Sequence, residues 1–267
     1  MEPDKRPVVI HVIYDLGRGG AETLLVNTVR ELNNYCNILV TLRHHSEFGE
    51  NLPFFKIINL NCPSTFNLPV AILRLKAIIK KYKPQLIHAH LPVPNIIARL
   101  TTPRSIPLIS TIHTTVSMAA AYKKFHFRVL DRFSNIFRKD LVIGVSQNVI
   151  DDYKTFLQLP DIRSKVLYNF AHETKHLKTD NNDGNLLRMV AVGTIKPNKN
   201  YECILESLIN LNDQRFSLDI FGKGKPPSVF DQTQKISLPV QFKGTVENIE
   251  EQLCNYDVFI SASRFEG

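Results

Sequence analysis

The sequence predicts an α/β protein built on parallel sheets, and two observations carry that expectation. Short apolar runs alternate with amphipathic stretches from one end of the 267-residue chain to the other. Repeated strand–helix alternation is the pattern of a parallel sheet with helices on both faces. The alternation also restarts after a polar stretch at 172–185 that contains Thr179-Asp180-Asn181-Asn182-Asp183-Gly184. The chain is therefore expected to form a first lobe at 1–170, a linker at 171–185 and a second, incomplete lobe at 186–267.

In chain order, the runs 8–14, 38–42, 57–60, 86–91, 108–112 and 141–145 read as the strands of the first lobe. Segments 21–32, 71–82 and 119–137 carry apolar residues at helical spacing between them. In the second series, 186–192, 216–221, 240–242 and 258–260 read as strands, and 200–211 and 249–256 as helices. The last run, Val258-Phe259-Ile260, reads as a buried strand, and Ser263-Arg264-Phe265-Glu266-Gly267 follows it directly. A strand-to-loop junction at the carboxyl edge is where open α/β sheets place their chemistry. The sequence is thus expected to stop inside a site.

Composition narrows the class. With 43% apolar and 22% charged residues the chain can bury a core. No apolar run reaches membrane-spanning length, and residues 1–7 lack the apolar stretch of a signal peptide. The four cysteines (Cys36, Cys62, Cys203, Cys254) form no CxxC pair, which suits reduced thiols in a cytoplasmic protein. The net charge of +8 is uneven: residues 1–170 hold 22 Lys/Arg against 12 Asp/Glu, and the remainder 11 against 13. The basic excess of the first half implies an anionic partner: a lipid surface, a nucleic acid or a phosphorylated substrate.

Asp15-Leu16-Gly17-Arg18-Gly19-Gly20-Ala21-Glu22 follows the first strand and opens a helix. Glycines let a backbone approach a ligand, and a helix N-terminus offers free N–H groups to an anion. A dinucleotide fingerprint would need glycine at position 22, where Glu22 stands. The turn is either an anion cradle or a tight strand-to-helix turn with Glu22 on the helix dipole.

These residues, taken with others further on, resemble glycosyltransferase family 4, retaining enzymes of the GT-B fold. Gly17-x-Gly19-Gly20-Ala21-Glu22 is similar to the family's N-terminal glycine loop. Leu86-Ile87-His88-Ala89-His90, Thr111-Ile112-His113 and Val142-Ile143-Gly144-Val145-Ser146 resemble three of its strands, and Val166-Leu167-Tyr168-Asn169 its approach to the linker. In the second half, Val192-Gly193-Thr194-Ile195-Lys196-Pro197-Asn198-Lys199-Asn200, Ile220-Phe221-Gly222-Lys223-Gly224, Phe242-Lys243-Gly244 and Ser263-Arg264-Phe265-Glu266-Gly267 continue in the same order. The resemblance spans the whole chain. It implies two Rossmann-like lobes with a cleft between them, a UDP- or GDP-sugar as donor, and no cofactor or metal.

The resemblance also assigns roles. Lys199 matches the lysine that stabilises the leaving diphosphate. Thr194 stands where the family has an arginine, and a neutral hydroxyl cannot make the bidentate charged contact. Lys196 is the nearest replacement cation. Gly193, Gly222 and Gly224 match turns at the donor, with a plain structural loop the alternative for the last two. Glu266 matches the first of two family glutamates; the second would lie past Gly267, so the chain reads as C-terminally truncated. His113 matches a histidine at the donor sugar. On the residues alone, His88, His90 and His113 are satisfied histidines, a substrate contact or, as an HxH pair plus one, a zinc site. No carboxylate or cysteine joins them at ligand spacing, so no metal is expected. His44, His45 and His126 read as surface residues.

Two segments hold the basic excess. Residues 71–83 carry Arg74, Lys76, Lys80, Lys81 and Lys83 with no acid, and Ile72, Leu75 and Ile79 on one face. Residues 122–139 carry Lys123, Lys124, Arg128, Arg132, Arg138 and Lys139 against Asp131 alone, beside an apolar stripe of Phe125, Val129, Phe133 and Ile136. Either the apolar stripes face the core under solvated basic faces, or the segments dock on anionic lipid on the inner face of the plasma membrane, as suits a lipid-linked acceptor. No aromatic-rich recognition motif points to nucleic acid.

The expected function is retaining sugar transfer from a nucleotide-sugar to an acceptor hydroxyl, in cell-surface polysaccharide or glycolipid synthesis. The alternatives are a GT-B-fold nucleotide-sugar epimerase, for which the first lobe's motifs offer mainly Asp15 and Glu22, and a truncated fragment that binds membrane or a partner without transfer.

Overall fold

The computed structural model describes residues 6–17, 19–62, 64, 67–170, 186–246 and 249–264. The chain divides at Phe170 into two compact units. The 171–185 stretch and Glu266 lie outside the described residues.

The first unit holds a seven-stranded, wholly parallel sheet of β1 (Val8–Ile13), β2 (Cys36–Thr41), β3 (Lys56–Asn59), β4 (Leu86–His90), β5 (Leu108–Ile112), β6 (Leu141–Gly144) and β7 (Ser164–Val166). Its order is β3-β2-β1-β4-β5-β6-β7, so the chain switches direction beside β1. The helices are α1 (Gly20–Glu31), α2 (Leu68–Tyr82), α3 (Pro92–Thr101), α4 (Phe125–Phe137) and α5 (Gln147–Leu157). Alternation along the central strands feeds two cores. Ile10, Val12, Ile38, Val40, Ile87 and Ala89 pack with Ala71, Leu75 and Ile79 of α2 and Ile97 of α3. Ile13 and Leu39 pack with Leu25, Val26 and Val29 of α1.

The second unit holds β8 (Leu187–Val192), α6 (Tyr201–Leu211), β9 (Phe216–Phe221), α7 (Phe230–Lys235), β10 (Val240–Gly244), α8 (Ile249–Leu253) and β11 (Val258–Phe259). Its four described strands are parallel in the order β10-β9-β8-β11. Every expected strand is present. The expected buried strand at 258–260 is instead a short strand at the edge of the four described strands: Val258 and Phe259 are both exposed, and β8 is the neighbour of β11 among the described residues. The expected helix over 119–137 is broken: 3-10 turns at Val116–Met118 and Ala120–Lys123 precede α4.

One buried cluster ties the first unit together at its far end. Arg99 of α3, fully buried, donates to Asp131 Oδ1 of α4 at 2.8 Å and to Asp140 Oδ2 at 3.1 Å. Asp131 also accepts from Tyr122 at 2.6 Å and from Tyr153 of α5. Asn135 donates to the Tyr153 hydroxyl at 2.8 Å, and Ser110 of β5 hydrogen-bonds Asp140. Asp131, the lone acid of the basic 122–139 segment, is thus the partner of a cation from another helix.

The cluster fixes how α4 is rotated. Phe127, Asp131, Ser134 and Asn135 share its inward face, with Arg138 just beyond. Of the two readings of the α4 stripe, the core-facing one does not hold, because the stripe is turned outward: Phe125 is 70% exposed, Val129 49%, Phe133 55% and Ile136 61%. Arg138 is not part of the basic surface either. It is buried and donates to the backbone carbonyls of Thr102 and Ile106. By contrast, α2 follows expectation, with Leu75 and Ile79 inward and Lys76, Lys80 and Lys81 in solvent.

Removing one partner of a buried ion pair costs about 3–5 kcal/mol. Asp131→Asn is expected to lower the unfolding free energy of the first unit by that order, read as a lower urea midpoint, while Asp151→Asn on the exposed side of α5 leaves the midpoint unchanged. Equal midpoints would mean that Asp140 alone satisfies Arg99.

Candidate glycosyltransferase site

The expected site residues fall into one group in each lobe. In the second, they meet at the carboxyl edge of the sheet. β8 ends at Gly193, whose N–H donates to Phe221 O at 2.9 Å and whose carbonyl accepts from the Tyr201 hydroxyl at 2.9 Å. β9 ends at Gly222, whose N–H donates to Gly244 O at the end of β10. The glycines are required by contact. A Cβ on Gly222 would lie 1.9 Å from Gly193 O, and one on Gly224 (φ +139°) would lie 2.8 Å from Ile195 Cβ. Ile195 N–H donates to Lys223 O at 2.9 Å, which joins the two loops as a pair.

Lys199 closes a 3-10 turn, Pro197–Lys199, that Lys196 caps. Asn200 then adopts φ +54°, a conformation asparagine tolerates, and the chain enters α6. Lys199 is half-buried, with its stem over Gly193: Cε lies 3.1 Å from where a Cβ on Gly193 would stand. The stem is thus packed on the turn two residues before α6 begins. Thr194 is half-buried and Lys196 exposed.

A further cation arrives from the other end of the lobe. Because β11 pairs with β8, Arg264 is carried to this turn: its N–H donates to Asn198 O at 2.8 Å and its guanidinium to Asn200 Oδ1 at 3.3 Å. Sequence reading quoted Arg264 only as part of a motif. The signal that could have singled it out is the missing arginine at Thr194.

In the first lobe, Gly19 is the N-cap of α1 and Gly20 its first residue. Asp15 Oδ1 accepts from Gly17 N–H at 3.0 Å, which shapes the turn. The Glu22 carboxylate lies against Gly19, with Oε2 2.4 Å from the place of a Cβ there, whereas nothing lies within 4 Å of one on Gly20. His113 follows β5, two strands along the same sheet edge. Its Nε2 pairs with His90 Nδ1 at 3.2 Å. Burial lowers the His113 pKa to about 4, so the ring is neutral at neutral pH.

His88 and His90 do share one face, with ring centroids 4.0 Å apart, and His88 Nε2 lies 2.7 Å from the Thr111 hydroxyl. The structure adds a histidine that sequence reading passed over. His11 of β1 is in register with His88 of β4, which brings the two rings to 5.8 Å between centroids. His44, His45 and His126 are exposed, as expected.

Two parallel α/β units, each with glycine turns and cationic or histidine side chains at a carboxyl edge, define the class as a glycosyltransferase of the GT-B fold. The sequence profile of Glycosyltransferase Family 4 matches residues 18–174, and that of Glycosyl transferases group 1 matches residues 187–267. The chain belongs to glycosyltransferase family 4. Solved structures are similar at low identity. Sucrose-phosphate synthase from Thermosynechococcus elongatus is 14% identical with a TM-score of 0.76, over 98% of this chain and 76% of that one. HepE from Anabaena in complex with UDP is 16% identical with a TM-score of 0.74, over 96% and 74%. The lipopolysaccharide outer core galactosyltransferase WaaB is 13% identical with a TM-score of 0.65, over 96% and 74%. No curated protein gives a significant match.

The glycines separate by role in a testable way. Gly222→Ala places a methyl on backbone and is expected to unfold the second lobe or lower its stability by several kcal/mol, on the order of 3. Gly20→Ala is open sterically and favours helix by up to ~1 kcal/mol, so thermal melting should show no loss. If Gly20 serves a ligand, nucleotide-sugar binding falls while the melting temperature holds; unchanged binding marks it as a turn residue only.

Proposed function

We propose that this chain transfers a sugar from a UDP-sugar to an acceptor hydroxyl with retention of configuration. The observation that carries the proposal is the Lys199 turn. A half-buried lysine, its stem packed over Gly193 just before an 11-residue helix, suits the stabilisation of negative charge on a departing diphosphate. Arg264, held at the same turn by Asn198 and Asn200, supplies the second charge that Thr194 does not, with Lys196 beside it. Cations fixed in this way stabilise the leaving group without a metal ion. His113 offers its ring to the donor sugar, and Glu266 has the sugar-contacting role that the family resemblance implies. The HepE structures, with UDP and with UDP-glucose, support uridine over guanosine as the donor base.

Charge-assisted hydrogen bonds contribute ~1.5–3 kcal/mol, so Lys199→Ala should weaken UDP binding about 10- to 100-fold by isothermal titration. Arg264→Ala should weaken it by a comparable factor, and Lys196→Ala less. Full affinity in Lys199→Ala would sink the assignment. Release of free sugar or of an epimer, with no transfer to acceptor, would redirect the reading to an epimerase.

The acceptor is proposed to be lipid-linked, in cell-surface polysaccharide or glycolipid synthesis, with the protein cytoplasmic and peripheral on the membrane. WaaB, a lipopolysaccharide outer core galactosyltransferase, supports that pathway class. The face of α4 supports the docking. Phe125, Val129, Phe133, Ile136 and Phe137 are exposed beside Arg132 and Lys124, while no described helix is long and apolar enough to cross a membrane. Apolar side chains that insert among acyl chains and cations that meet anionic headgroups are the two requirements of an interfacial helix. Sedimentation with anionic vesicles should carry the protein down and fail with neutral vesicles, and Phe133→Ser with Ile136→Ser should abolish it. Equal pelleting with both vesicle types would overturn the docking face.

A further inference from the structure

We propose that His11, His88 and His90 form a binding site for one borderline divalent transition-metal ion of the zinc class. Each offers one ring nitrogen, and these three atoms all lie within 4.8 Å of one another. The ligand nitrogens of a tetrahedral zinc ion with ~2.1 Å bonds stand about 3.4 Å apart, a difference that rotation of the rings covers.

The hydrogen bonds around the cluster say which lone pairs are spare. Asn37 uses both amide hydrogens on the carbonyls of Leu32 and Tyr35, so its Oδ1 faces His11. An oxygen there can only accept, so His11 carries its proton on Nε2 and leaves Nδ1 as a bare lone pair. That Nδ1 is buried and has no hydrogen-bond partner. His90 repeats the arrangement: Nδ1 engages His113, and Nε2 is buried without a partner. His88 is anchored through Nε2 to the Thr111 hydroxyl. A buried polar atom without a partner costs ~1–3 kcal/mol, and here two of them belong to one cluster. Each of the three rings also has one nitrogen on a polar partner, Asn37, Thr111 or His113, and such outer-sphere contacts orient metal-bound histidines.

The donor set selects the ion. Among the described residues the group consists of imidazoles alone, which disfavours magnesium and calcium and suits zinc, cobalt, nickel or copper. Burial keeps all three rings neutral at neutral pH, the form that ligates. Three ligands from β1 and β4 leave a fourth position for water. With His90 Nε2 on the ion, His90 Nδ1–H donates to His113 Nε2, and His113 is then fixed as an Nδ1–H donor. The ion would thus lock two central strands and set the tautomer of His113.

The test uses the full, untagged chain. After dialysis against zinc chloride and then metal-free buffer, one zinc per chain should remain by elemental analysis. Cobalt(II) should give the intense visible bands of a tetrahedral site. His11→Asn and His90→Asn should each weaken binding at least tenfold, and His126→Asn should not. Zinc but not magnesium should raise the melting temperature, by about 3 °C or more. Absence of the cobalt bands in the native chain would overturn the site without reliance on any variant's folding. So would zinc retention unchanged in a folded His11→Asn variant.

Discussion

The buried guanidinium of Arg99 constrains the first lobe more than any other single group. An unpaired cation in that position would be prohibitively expensive, so carboxylates must reach it from elsewhere in the chain. Asp131 arrives on α4 and Asp140 at the start of β6. Tyr122 and Tyr153 complete the shell of Asp131. Five segments are therefore docked by one cluster, and the rotation of α4 follows from it. A helix that must point Asp131 inward has to point residues two positions away outward. The exposed Phe125–Val129–Phe133–Ile136 stripe is a consequence of satisfying Arg99, and it is the face on which the proposed membrane docking rests.

That dependence explains what was legible in the sequence. The strands were legible because a parallel sheet covered on both sides demands continuous apolar runs. β7 was not: Ser164-Lys165-Val166 is a three-residue edge strand with no apolar run to announce it. α3 was hidden because its buried face includes Asn95, Arg99 and Thr101, which breaks the apolar periodicity. α5 is more regular, with Ser146 capping it through Val149 N–H, yet its apolar residues sit among acids and it was not singled out. In α4 the period was legible and the phase was left open, because phase is decided by a cation 32 residues away in the chain.

The sites divide in the same way. Gly193, Lys199, Gly222 and Gly224 were legible because local motifs carry them, and the fold brings them together. What local motifs cannot show is register. Arg264 reaches the Lys199 turn only because β11 runs parallel to β8, and His11 reaches His88 only because β1 pairs with β4. A single histidine inside an apolar run carries no pattern of its own, so His11 looked like part of a strand.

Thr194 is the point at which family pattern and local physics part. On the proposed reading of the turn as a diphosphate site, the guanidinium absent at Thr194 cannot be made good by a hydroxyl, which brings no charge. The turn answers with position rather than identity. Asn198 and Asn200, on either side of Lys199, spend a carbonyl and a side-chain oxygen on Arg264. Neither contact neutralises the guanidinium, since an amide oxygen accepts a hydrogen bond without carrying charge. The arginine is therefore fixed in place and remains fully cationic. Had an aspartate stood at position 200, the same geometry would have bound Arg264 and cancelled it. An asparagine also tolerates the left-handed backbone that starts α6. One residue thus serves the turn and preserves the positive field over it.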